Sequence, residues 1–170
     1  MNLKDALLRE HSKTQKDNIA TNIGDSKVLF AELWEILKTG EAPLPQRAAW
    51  VFDTCTKKHP ALLEAILDDV VLFMPKPNHN AIHRNITKAL ARIDIPERHQ
   101  GTVYSLCIDW MLSPKKEVAI KAQCMTIAFN IAKPIPELRE ELALVIQDQM
   151  EFNSAGFTSR GRKILKALAK

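Results

Sequence analysis

His79 and His83 stand four residues apart, a spacing that can bring two imidazoles to one helix face and within reach of one metal ion. Asn80, Ala81 and Ile82 between them include no glutamate to act as a base, and no third ligand accompanies the pair. A capping or surface role is therefore expected, with no metal site. Cys55 and His59 share the same spacing and set a thiol near a base, but one such pair reads as structural. Trp50, Asp53, Arg47 and Arg84 supply an aromatic plane, a carboxylate and two guanidiniums. The plainer reading of that set packs Trp50 in the core and pairs Asp53 with a nearby cation. The segment from Gly156 to Gly161 leads into a basic helix, where backbone amides with Arg160 and Arg162 could hold a phosphate; a turn and an N-cap account for it equally well. No glycine-rich phosphate loop and no nucleophile elbow occurs, so no reaction is legible and neither catalytic residues nor a cofactor are assigned.

The elements that would carry these residues are helices. Leu29, Phe30, Leu33, Trp34 and Leu37 recur with the period of a helix face turned to a core, and strand-like alternation is essentially absent. Breaks fall at Gly24, Gly40, 42–45, His59-Pro60, 74–78, Ile95-Pro96, Ser113-Pro114 and 134–136, because proline and the residue before it resist helical geometry. About ten helices follow, near 3–10, 13–23, 27–38, 46–58, 61–73, 79–93, 97–112, 115–132, 135–151 and 158–169. Ser12 with Gln15 forms a candidate capping box, and Ser113-Pro114 a candidate N-cap followed by proline.

Paired in order, these helices make five hairpins with an approximate repeat. Arg47, Arg84 and Lys121, each early in a second helix, lie 37 residues apart, and Pro60, Pro96 and Pro134 are spaced by 36 and 38. One hairpin cannot bury its apolar face alone, whereas stacked neighbours can. The expectation is an all-α chain, one helical-repeat domain over residues 1–170. Hydrophobic residues make up 46% of the 170, enough for a continuous core. Asp68 and Asp69 interrupt the most apolar stretch, so no membrane span is expected. The first ten residues lack a signal-peptide core, and Cys55, Cys107 and Cys124 sit among apolar neighbours, which suits reduced core thiols in the cytoplasm.

Helix pairs of this period, prolines at helix starts and a basic residue early in the second helix resemble the HEAT/armadillo superfamily of α-solenoids over roughly residues 25–170. Arg47-Ala48-Ala49-Trp50 and Ser154-Ala155-Gly156-Phe157 are similar to segments of small stand-alone HEAT-like proteins of unknown function. The resemblance implies an α-α superhelix whose second helices line a concave face.

Charge is sorted between the two members of each pair. Second helices with their flanks sum to +13 and first helices to −8, within a net charge of +4. Arg84, Lys88 and Arg92 form one stripe, and Arg162, Lys166 and Lys170 another. With the family geometry these would build a basic concave groove, whose candidate macromolecule contacts are Arg47, Arg84, Lys88, Arg92, Lys121, Arg160, Arg162 and Lys166. The bland reading makes the same charges ordinary solvated faces. The leading expectation is a monomeric, non-enzymatic interaction module that binds an acidic protein segment or other macromolecule. The alternative is a nucleic-acid-binding protein related to HEAT-like alkylpurine DNA glycosylases, which resemble this chain in the Trp50, Asp53, Arg47 and Arg84 set. Nucleic-acid binding calls for solvent-facing Trp50 or Tyr104; a protein partner calls for an exposed apolar patch flanked by charge.

Overall fold

The computed structural model describes residues 1–170 and contains helices and turns with no strand. The helices are α1 (Leu3–Arg9), α2 (Lys13–Ile23), α3 (Lys27–Thr39), α4 (Leu44–Lys58), α5 (Pro60–Ala65), α6 (Leu67–Phe73), α7 (Asn80–Leu90), α8 (Glu97–Leu112), α9 (Val118–Ala132), α10 (Pro136–Gln149) and α11 (Ala155–Leu168), with a 3-10 turn at Met150–Phe152. Two compact units divide the chain, Met1–Arg92 and Ile93–Lys170.

In the first unit α4 is central: α3 and α5 pack on it as chain neighbours, and α2 and α7 flank it. Its Phe52, fully buried, stacks on Phe30 at 5.4 Å between ring centroids and meets Trp34 at 5.6 Å; Trp34 in turn meets Phe73 edge-on at 5.3 Å. Burial of such a side chain contributes about 1.5–3 kcal/mol, and the ring contacts add to it. In the second unit α9 is central, packed by α8, α10 and α11 around Cys107, Met111, Ile120, Cys124, Leu142, Ile146 and Phe157.

Proline marks the starts of α5 and α10 as expected, and Gly24 and Gly40 end α2 and α3. Gly24 takes φ 53°, open to glycine at little cost. Ser12 caps α2 by accepting from the Gln15 amide at 3.0 Å, but the Gln15 side chain donates to the Ala6 carbonyl at 2.8 Å, so only half of the capping box forms and the other half ties α2 to α1.

Three local expectations are corrected. The helix expected at 61–73 breaks at Ile66, whose amide turns back to the Leu63 carbonyl at 3.1 Å; Asp68 and Asp69 then occupy the first turn of α6, where the helix dipole favours carboxylates. Ser113 ends α8 instead of starting α9: its hydroxyl accepts from the Lys115 amide in a tight turn, and Lys116 lies 4.0 Å over the Trp110 ring, so α9 begins only at Val118. Gly156 and Gly161 lie inside α11, which starts at Ala155; at Gly161 a β-carbon would come within 3.0 Å of Ile146, so the glycine lets α11 approach α10.

Candidate macromolecule-binding site

The expected basic residues have unequal surroundings. In the first unit, Arg47 donates to the carbonyls of Leu7 and Leu8 at 2.9 and 3.2 Å and so caps the C-terminal end of α1. Arg92 places Nη1 2.8 Å from Asp53 Oδ1, while Nη2 donates to the Asp53 carbonyl at 3.1 Å and to Thr56 Oγ1 at 3.2 Å. Lys88 Nζ stands 3.5 Å from the other carboxylate oxygen of Asp53. Asp53 is thus the anion that joins α4 to the end of α7. Arg84 is exposed.

In the second unit Arg160 repeats the device: Nη1 donates to the Ala122 carbonyl at 2.8 Å and to Thr126 Oγ1 at 3.4 Å. In both places the threonine hydroxyl bonds the carbonyl four residues back, Thr56 to Phe52 and Thr126 to Ala122, which presents its oxygen to the arginine of the next second helix. Lys121 is buried, and burial lowers its pKa. Arg162 and Lys166 are exposed on α11.

Of these residues, Arg84 and Lys88 line a common cleft. It has a volume of about 440 Å³ and is walled by α4, α7 and the connection between α1 and α2, with His11, Gln46, Trp50, His79 and Asn85 completing it. No carboxylate lines it. Trp50 is half-buried; the His11 ring lies against it at 5.3 Å and the Lys16 ammonium sits 5.0 Å from its centroid. Gln46 Oε1 is buried without a hydrogen-bond donor. His79 caps α7, its Nδ1 accepting from the Ala81 amide at 3.1 Å, whereas the buried His83 sets Nε2 3.2 Å from the Lys76 carbonyl. The two histidines therefore serve separate parts of one loop. Trp50 and Arg84 share the cleft, but Asp53 is held by Lys88 and Arg92, and Arg47 by α1.

Tyr104 is buried, its hydroxyl donating to the Leu138 carbonyl at 3.2 Å. The thiol of Cys55 is fully buried, which pushes its pKa up to about 12, and His59 meets it only through the backbone, donating its amide to the Cys55 carbonyl at 2.8 Å. Cys107 and Cys124 are free and buried as neighbours, and the Cys124 thiol together with burial raises the Cys107 pKa.

Sequence spacing pointed to Arg84 and Lys88 but missed His11, Gln46 and Asn85 as members of a cleft. His11 reaches Trp50 through tertiary packing alone, and no period links them.

Within each unit an arginine at the second helix of one pair bonds a carbonyl in the second helix of the pair before it, a recurrence that marks a helical-repeat protein. The family model of the HEAT repeat domain matches residues 3–168, and the chain belongs to that family. No curated protein and no solved structure matches it. No helix is long and apolar enough to cross a membrane.

Proposed function

We propose that this HEAT repeat protein is a non-enzymatic interaction module that takes an acidic protein segment in the cleft of its first unit. The observation that carries the reading is the lining itself: Arg84 and Lys88 are among its residues, no Asp or Glu is, and the buried Gln46 Oε1 lacks a donor. An acidic peptide brings both complements, carboxylates for the cations and a backbone N–H for the amide oxygen. Arg47 and Arg92 belong to the same proposal only through the field of the unit, since neither lines the cleft and Arg92 is paired with Asp53. Arg160, Arg162 and Lys166 belong to the same proposal as a basic second-helix face of the second unit; Lys121, being buried, is not part of that face. Such a field speeds encounter with anions and fades as salt rises.

A nucleic-acid ligand is the second reading, favoured by Trp50, a half-buried ring among the cleft's lining residues on which a base could stack. Fluorescence anisotropy at several salt concentrations separates the two, using an Asp/Glu-rich peptide and single- and double-stranded DNA and RNA as probes. The expected outcome is salt-sensitive peptide binding that Arg84→Glu with Lys88→Glu weakens by at least about tenfold, with the helical circular dichroism unchanged. Preferential, equally charge-dependent binding of an oligonucleotide would transfer the assignment to the second reading. Absence of binding to every probe at low salt sinks both.

A further inference from the structure

The second unit carries a groove of opposite character. α8 and α10 enclose a volume of about 520 Å³, with Ile131, Ile135 and Leu138 among its apolar lining and Glu97, Asp109 and Glu141 beside them. No lysine or arginine lines it. Glu97 and Asp109 are exposed and make no ion pair, so their charge is available to a ligand. Tyr104 ties the two helices together, its hydroxyl donating to the Leu138 carbonyl at 3.2 Å, and burial with the adjacent Glu141 raises its pKa.

Gly101 supplies a second, independent observation. It lies in the interior of α8, where glycine costs about 1 kcal/mol relative to alanine. A β-carbon there would meet nothing within 4 Å, so no packing within the protein calls for glycine, unlike Gly161 against Ile146. Gly101 opens directly into the groove. Its bare backbone allows a bulky group to approach α8 at the one place where the fold itself requires no such approach.

We infer that this groove docks a basic amphipathic segment of a partner protein, its apolar side chains entering between α8 and α10 and its lysines or arginines meeting Glu97, Asp109 and Glu141. The volume falls within the roughly 300–1,000 Å³ of established ligand sites, and an apolar stripe flanked by cations matches an apolar floor flanked by carboxylates. This surface is separate from the proposed acidic-segment cleft and does not depend on it.

The probe is a labelled helical peptide with leucine at i, i+3, i+4 and i+7 and lysine elsewhere, titrated against the full chain by fluorescence anisotropy. Binding in the micromolar range is expected, with a loss of about tenfold or more in Gly101→Trp, which fills the groove, and in Glu97→Lys with Asp109→Lys, which reverses its rim. The helical circular dichroism of each variant serves as the folding control, and the counterpart peptide with glutamate for lysine should not bind. Arg84→Glu with Lys88→Glu should leave this binding unchanged, whatever becomes of the cleft in the first unit. Lack of binding at roughly 100 μM peptide, or affinity equal in all variants, overturns the inference. So does concentration-dependent self-association lost in the same variants, since a second copy would then be the occupant.

Discussion

Asp53 holds more of the first unit together than its single charge suggests, because Arg92 binds both its carboxylate and its backbone while Lys88 approaches from the same helix face. Asp53→Ala would leave these cations without their anion beside a carbonyl and a hydroxyl they still contact. A loss of about 1–3 kcal/mol is expected in urea unfolding. Arg92→Lys should recover little of the pairing energy, since an ammonium cannot span carboxylate, carbonyl and Thr56 hydroxyl as the guanidinium does. Two glycines give opposite expectations under the same assay. Gly101→Ala should stabilise by about 0.5–1 kcal/mol, through helix propensity alone. Gly161→Val should destabilise by about 1–3 kcal/mol, because its branches would press into Ile146, itself fully buried, and Met150. Nothing in the sequence distinguishes these two glycines; what separates them is whether another helix lies over the α-carbon.

At the level of helices, the links between α3 and α6 make stability depend on acid. Lys38, then the Trp34 indole, hold the Asp69 carboxylate below its ordinary pKa; the bonds measure 2.6 and 2.7 Å. A lowered folded-state pKa means that the stabilisation is complete above the unfolded value of about 3.9 and is lost as pH falls below it, toward the folded value. The side chain is 48% exposed, so solvent screening keeps the effect at about 0.2–1 kcal/mol. Wild type should therefore lose stability more steeply than Asp69→Asn below about pH 4 in acid titrations followed by circular dichroism. The helices themselves were largely legible, because apolar periodicity and the prolines at 60 and 136 are local signals. The break at Ile66 was not: Leu62, Leu63, Leu67, Val70 and Val71 keep an unbroken helical period across it, and no glycine or proline marks the spot. Ser113-Pro114 misled because a serine that ends one helix looks like one that starts the next. The cleft was legible in its Arg84 and Lys88 edge and in the grouping of Trp50 with Arg84, whereas His11 and Gln46 join it through tertiary packing that no period foretells.

For the chain as a whole, membership of the HEAT repeat family extends over residues 3–168 and so runs through both compact units. Reading residues 1–170 as one domain leads to the expectation of a single thermal transition in calorimetry, with equal calorimetric and van't Hoff enthalpies. Repeat proteins depart from this when neighbouring repeats are weakly coupled. The distribution of cysteine turns that question into a chemical one. Cys55 is sealed in the first unit, and Cys107 and Cys124 in the second, all three as free thiols with no exposed thiol to compete. An alkylating reagent added in pulses during urea unfolding would mark each sulfur only when its own surroundings open, and peptide mass spectrometry would date the two events. Matching labelling curves would fit concerted opening; a lag between Cys55 and the other pair would show one half surviving the other, with the protein's native sulfur as the clock.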